Sequence, residues 1–275
     1  MARTSTGWKR SAMNNTPRVK ESGFRAGALA AAVGLAAVIA QPVHAQVASN
    51  VTDKTQTTTP SSDSLSARQA AIVPIAAFAA TGDIARLNAA LEQGLDAGLT
   101  VSDAKEVLVQ LYAYAGFPRS LNALSELMKV LQARQQRGIQ DAPGAEPSRP
   151  IPQGDALQAA GTANQTKLSG GPVQGPLFDF APVANEYLRT HLFGDIFERD
   201  NLDWQSREVA TVSMLAALTG VESQLQSHMR ISMNVGLTAP QLRQLVQVLA
   251  SQVDVQTARR ATAALDRQLL VQAGK

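Results

Sequence analysis

The 275-residue sequence offers few groups that move protons near neutral pH. It has three histidines, His44, His191 and His228, and no cysteine. His228 falls in an apolar helical pattern, on the same face as Leu225 and Ser232, and Glu208 lies one helix earlier. An imidazole removed from water needs a polar partner, and a carboxylate that binds one ring nitrogen leaves the other free as a general base or acid. The same two residues also fit a purely structural reading, a His–Glu pair that ties two helices together. His191 precedes Phe193-Gly194, where a helix pattern ends and a cation is favoured without any chemistry. Arg199 and Arg207 can grip a carboxylate through paired N–H donors, or be ordinary surface charges. Tyr112 and Tyr114 stand just ahead of the break at Gly116-Phe117-Pro118. Their phenols can donate to a developing enolate, or serve as packing groups.

Other chemistries lack their residues. Without a thiol there is no cysteine nucleophile, redox centre, disulfide or thiolate ligand. No Gly-x-Gly-x-x-Gly or P-loop cradles a phosphate, and His191 and His228, the two histidines after residue 45, are far apart without an acidic cluster and make a poor metal site, so neither cofactor nor metal is expected. The pI of 9.4 suggests nucleic acid, but six of the 25 basic residues and only one of the 22 acids fall within residues 1–45. The remainder holds 19 basic against 21 acidic groups, a balance that disfavours nucleic acid.

The basic stretch belongs to a leader. It is followed by an apolar run over 26–40 and by small residues at Val43 and Ala45, the pattern of a secretory signal cut before Gln46. The alternative, a retained anchor, meets the difficulty that fifteen apolar residues fall short of the ~20 a spanning helix needs. No later segment is apolar and long enough to span, so no membrane contact is expected after cleavage, and the predicted location is periplasmic. Residues 46–64, rich in Thr, Ser, Gln and Asp, read as a flexible spacer.

The body that must position the candidate residues reads as all-α. Aromatics are 4% while Ala, Leu, Val and Gln abound, and 45% apolar content suffices for a core. Helical patterning covers 65–137 in four helices and resumes to the C-terminus over 177–275. Between them, 138–176 carries six prolines and seven glycines and is expected to be a flexible linker. The two helical segments repeat. Thr81-Gly82 matches Thr219-Gly220, and Gly98-Leu99-Thr100 matches Gly236-Leu237-Thr238; a one-residue slip upstream aligns Arg68-Gln69 with Arg207-Glu208. Each Gly-Leu-Thr ends one helix and caps the next, with Asp103 or Gln241 reaching back to the cap. Amphipathic units of this kind leave a bare face when alone, so the two copies are expected to pack as a pseudo-twofold pair.

These residues resemble the carboxymuconolactone decarboxylase family. The second half has Phe193-Gly194-Asp195-Ile196-Phe197-Glu198-Arg199, Leu202-Asp203, Arg207-Glu208, Leu215-Ala216-Ala217-Leu218 and His228. The first half has Tyr112-Ala113-Tyr114-Ala115-Gly116-Phe117-Pro118 followed by Asn122-Ala123-Leu124. Relatives similar to alkylhydroperoxidase D carry a Cys-x-x-Cys seven and four residues before the histidine; here those positions are Val221 and Gln224, so thiol-dependent peroxide reduction does not carry over. The first copy has Ala90 in place of His228, and the second has 250–254 in place of the tyrosine signature.

The resemblance implies a cofactor-free lyase or isomerase acting on a small carboxylated or lactone substrate, with His228 shuttling the proton, Glu208 polarising it and Arg199 or Arg207 holding a carboxylate. Because each copy lacks what the other keeps, a composite site is expected, in which His228, Glu208 and Arg199 of the second copy meet Tyr114 and Asn122 of the first across the pseudo-dyad or a subunit boundary, with Tyr112 a further candidate for substrate binding. A homo-oligomer, a trimer of two-unit chains, is the assembly the resemblance suggests. The rival expectation is a noncatalytic binding or assembly protein on the same scaffold. An exported protein stands apart from cytoplasmic aromatic catabolism, so a substrate of its own is expected. N-terminal sequencing of the exported protein should begin at Gln46; an intact leader would instead support the anchor.

Overall fold

The computed structural model describes residues 63–274, and every regular element among them is helical. The expected leader, 1–45, and all but the last two residues of the spacer lie outside the described residues. The first copy comprises α1 (Ala67–Thr81), α2 (Ile84–Asp96), α3 (Val101–Gln110), the single turn α4 (Tyr112–Ala115) and α5 (Phe117–Gln136). Next come α6 (Asp155–Ser169), α7 (Pro176–Phe180), α8 (Pro182–Tyr187) and a π-helical run, Leu188–Ile196. The second copy comprises α9 (Trp204–Ala217), α10 (Glu222–Asn234), α11 (Ala239–Val248), a π-helical turn, Leu249–Val253, and α12 (Val255–Ala273).

The repeated corners form as their residues require. Gly98 and Gly236 take φ of 89° and 100°, and Thr100 and Thr238 cap α3 and α11 in reciprocal boxes with Asp103 and Gln241. Upstream, the register differs from the sequence match. The caps of α1 and α9, Ser66 and Asp203, lie 137 positions apart, so Arg207 corresponds to Ala70 and not to Arg68. Arg68 reaches Asp103 at the surface, while Arg207 is wholly buried. Side-chain identity suggested one slip, and the caps impose the opposite one.

α1 lies along α9, and this pair is the spine of the molecule. Both helices were expected to be amphipathic. Instead Ile72–Ala80 and Ser206–Ala217 are buried without a break, because each helix is covered on all sides by its own copy and by the other. The two copies thus share one core drawing on α1–α3, α5 and α9–α12, within one compact unit. Cross-copy contacts are reciprocal. The entry to α1 docks on α11, with Leu65 N–H on Gln244 Oε1 at 2.7 Å. The entry to α9 docks on α3, with Asn201 Nδ2 donating to Glu106 Oε1 at 3.0 Å.

The 138–176 segment departs from the linker expectation. Its early part is laid on the protein, where Val101 and Ser102 donate backbone bonds to the carbonyls of Ala142 and Pro143. Its middle is α6, fifteen residues without proline, whose Ala, Gln and Leu content was masked by averaging over the flanking prolines and glycines. α6 packs on the π-helical run Leu188–Ile196. The backbones approach so closely that a Cβ at Gly161 would overlap the carbonyl oxygen of Arg189. Asn164 locks the junction by donating to Phe193 O at 2.9 Å and Glu198 Oε1 at 2.7 Å. Leu168, Leu192, Phe193, Ile196, Phe197 and Ile231 form a second, smaller cluster over α10.

Gly161→Ala separates two opposed effects. Helix propensity alone would stabilise α6 by about 1 kcal/mol. Overpacking against Arg189 should outweigh it, with a net loss of about 1–3 kcal/mol in denaturant melts. A stabilised variant would show that α6 is not docked as described.

Candidate functional site

Two consecutive ionisable residues of α9, Arg207 and Glu208, have no exposed surface. Glu208 Oε2 lies 2.8 Å from Nδ1 of His228, which projects from α10 at i+3 from Leu225 and is 8% exposed. The ring's Nε2 carries no hydrogen bond among the described residues. Tyr114, from α4 of the first copy, meets the imidazole edge-on, with centroids 5.6 Å apart and planes at 81°. Three buried polar atoms on α4, α9 and α10, the Tyr114 hydroxyl, Glu208 Oε1 and Ser232 Oγ, have no hydrogen-bond partner among the described residues. Burial, and then the Glu208 carboxylate, push the Tyr114 hydroxyl far above the usual phenol range, with the nearby Thr211 hydroxyl acting the other way. Tyr114 therefore keeps its proton.

Arg207 turns toward the first copy. Its Nη2 donates to Glu106 Oε2 at 2.9 Å and to Arg199 O at 2.8 Å. Arg199 embraces the same carboxylate, with Nε 3.0 Å from both oxygens and Nη2 2.7 Å from Oε1. Burial works to raise the Glu106 carboxyl, but hydrogen bonds from Arg199, Arg207 and Asn201 prevail and hold it below its usual range. Burial pulls the Arg207 guanidinium down, and Glu106 opposes this. Gln110 completes the junction by donating to Arg207 O at 3.0 Å and Thr211 Oγ1 at 2.7 Å.

The structure brings His228, Glu208 and Tyr114 together and leaves the other expected site residues apart from them. Both arginines are already committed to Glu106, and Arg207 has no face toward solvent, so it braces the core in place of gripping a ligand. Arg199 keeps partial exposure. Tyr112 stacks on Phe117 at 4.5 Å, its hydroxyl raised by burial and by Asp195. Asn122 is exposed on α5 and makes no side-chain hydrogen bond among the described residues. His191 pairs with Asp195 at the surface, within the π-helical run and not at a helix end. Sequence reasoning missed Glu106, Gln110, Thr211 and Ser232. The signal was available in α3, where Glu106 and Gln110 stand four apart among Ala104, Val107 and Leu108, polar groups on a buried face.

A model of the carboxymuconolactone decarboxylase family matches residues 45–128 and 182–267. The chain belongs to this family. The two matches correspond to the two copies, and the intervening 129–181 contains α6 and α7, so the layer over α10 is partly an insertion between family units. A search of curated proteins returned no match. The family's two cysteine positions fall at half-buried Val221 and exposed Gln224, at the start of α10 and on the turns leading to His228. Among the described residues no group of three or more His, Asp or Glu side chains is placed to hold a metal, and no helix is long and apolar enough to cross a membrane.

The depressed Glu106 carboxyl links stability to pH. Its contribution is present above the ordinary glutamate value of 4.5 and is lost as the pH falls through the lower folded value. Glu106→Gln should cost about 3–5 kcal/mol at pH 7, because it leaves Arg207 buried and unmatched. The variant should also lose part of the acid dependence seen in wild-type denaturant melts. Equal pH profiles would show that Glu106 does not carry that dependence.

Proposed function

We propose that the chain is an exported, periplasmic enzyme that transfers protons without a cofactor, a lyase or isomerase acting on a small carboxylated or lactone substrate. The observation that carries this reading is the His228–Glu208 pair. Nδ1 of the ring is held at 2.8 Å by a carboxylate with no other hydrogen-bond partner among the described residues, Nε2 makes no hydrogen bond among them, and the Tyr114 ring meets the imidazole edge-on. With Nδ1–H donated to Glu208, the lone pair of Nε2 is the base, and the imidazolium formed is stabilised by Glu208. In decarboxylation Nε2 first takes the proton of the substrate's carboxyl group, and the carbon–carbon bond electrons then pass into an enolate as carbon dioxide leaves. Tyr114, which keeps its proton, donates to the enolate oxygen, and Nε2–H of His228 returns a proton to carbon. Arg199 is the remaining candidate for a substrate carboxylate, since part of its guanidinium reaches solvent. Exposed Phe117, Leu121 and Met128 along α5 support a homo-oligomer, which we take to be a trimer.

A second reading, a noncatalytic scaffold, is favoured by the 8% exposure of His228, as expected for a pair that serves packing. Tyr114→Phe separates the two readings. It deletes a buried hydroxyl that has no partner, so folding stability should hold or rise slightly. Across a panel of small carboxylated lactones and β-keto acids, assayed by carbon dioxide release, the enzymatic reading expects turnover in wild type. It expects a fall of about 10²-fold in Tyr114→Phe and of about 10²–10⁴-fold in His228→Gln. No wild-type turnover, or turnover indifferent to both changes, would leave only the scaffold.

A further inference from the structure

The pseudo-dyad gives the His228 site a counterpart in the first copy. By the caps, Ala71 of α1 stands for Glu208; by the glycine corners, Ala90 of α2 stands for His228, and Gln252 of the second π-helical turn stands for Tyr114. Replacing a glutamate and a histidine by two alanines removes both the chemistry and the volume. Beside Ala90 and Gln252 lies a cavity of about 260 Å³, lined also by Pro74, Phe78, Arg86, Ala89 and Gln93, with Ala71 outside its wall. Size and lining limit its ligand. The volume lies below the ~300–1,000 Å³ of sites for larger metabolites and drugs, and suits a single ring or a short branched chain.

Arg86 is the one charged group in the lining, and it is held in place. Its guanidinium lies 4.6 Å from the Phe78 ring centroid, Nε donates to Asp83 Oδ2 at 2.7 Å, and Nη1 donates to Val253 O at 3.2 Å. Nη2 has no partner among the described residues. The Asp83 pair is exposed and worth little, so it competes weakly with an incoming anion. Phe78, Pro74 and Ala90 supply an apolar wall, and the amides of Gln93 and Gln252 supply neutral polar groups.

We propose that the first copy holds a second, noncatalytic site for a small organic carboxylate, with the anionic end on Arg86 and the apolar body against Phe78 and Pro74. The proposal does not depend on turnover at His228. Benzoate is the probe, titrated into the full chain by calorimetry at low salt beside neutral benzamide. Benzoate should saturate, with benzamide at least about tenfold weaker, because the charged hydrogen bonds are lost. Arg86→Gln, a change at an exposed residue, should weaken benzoate by about tenfold or more; Ala90→Leu, which fills the cavity, should abolish binding, and His228→Gln should leave it unchanged. Absence of saturable benzoate binding, equal affinity in Arg86→Gln, or loss of binding in His228→Gln would overturn the proposal.

Discussion

A pair of adjacent charges cut off from solvent organises this protein. Arg207 and Glu208 follow one another on α9, and neither has exposed surface. A buried charge is tolerated only when matched and hydrogen-bonded. Consecutive helical residues project about 100° apart, so the two must be matched from different directions. Glu106 answers Arg207 from α3 of the first copy, and His228 answers Glu208 from α10 of the second. The shared core brings the copies together, and the Arg207–Glu106 contact ties one to the other, while the Glu208–His228 contact joins α9 to α10 within the second copy.

The candidate site follows from that arrangement. Glu208 occupies Nδ1 of His228 and thereby frees Nε2. Gln110, held against Arg207, also donates to the Thr211 hydroxyl, and Tyr114 of the first copy meets the imidazole edge-on. Duplication allowed a division of labour. The second copy keeps the histidine and its carboxylate, the first supplies the tyrosine, and the mirrored positions in the first copy hold Ala71 and Ala90, the latter lining a cavity.

Much of the fold was legible because it rests on local rules. Gly-Leu-Thr corners, capping acids and amides, and helical spacing act over a few residues, and each formed as expected. The His228–Glu208 pair was legible too, since one imidazole on an apolar face has few possible partners. What was not legible depends on the other copy. The role of Arg207 turns on Glu106, 101 positions earlier in the chain, and no local pattern distinguishes a guanidinium that grips a ligand from one that braces a core. The docking of α6 was hidden likewise, because Gly161 reads as a helix breaker until Arg189 is seen against it.

The most direct test of the central claim is the ¹⁵N spectrum of the His228 ring as a small carboxylate is titrated. The account predicts a neutral ring protonated at Nδ1 and hydrogen-bonded to Glu208, with Nε2 bare and its resonance moving as ligand binds. A ring protonated at Nε2, or one whose two nitrogens ignore every ligand tried, would contradict it.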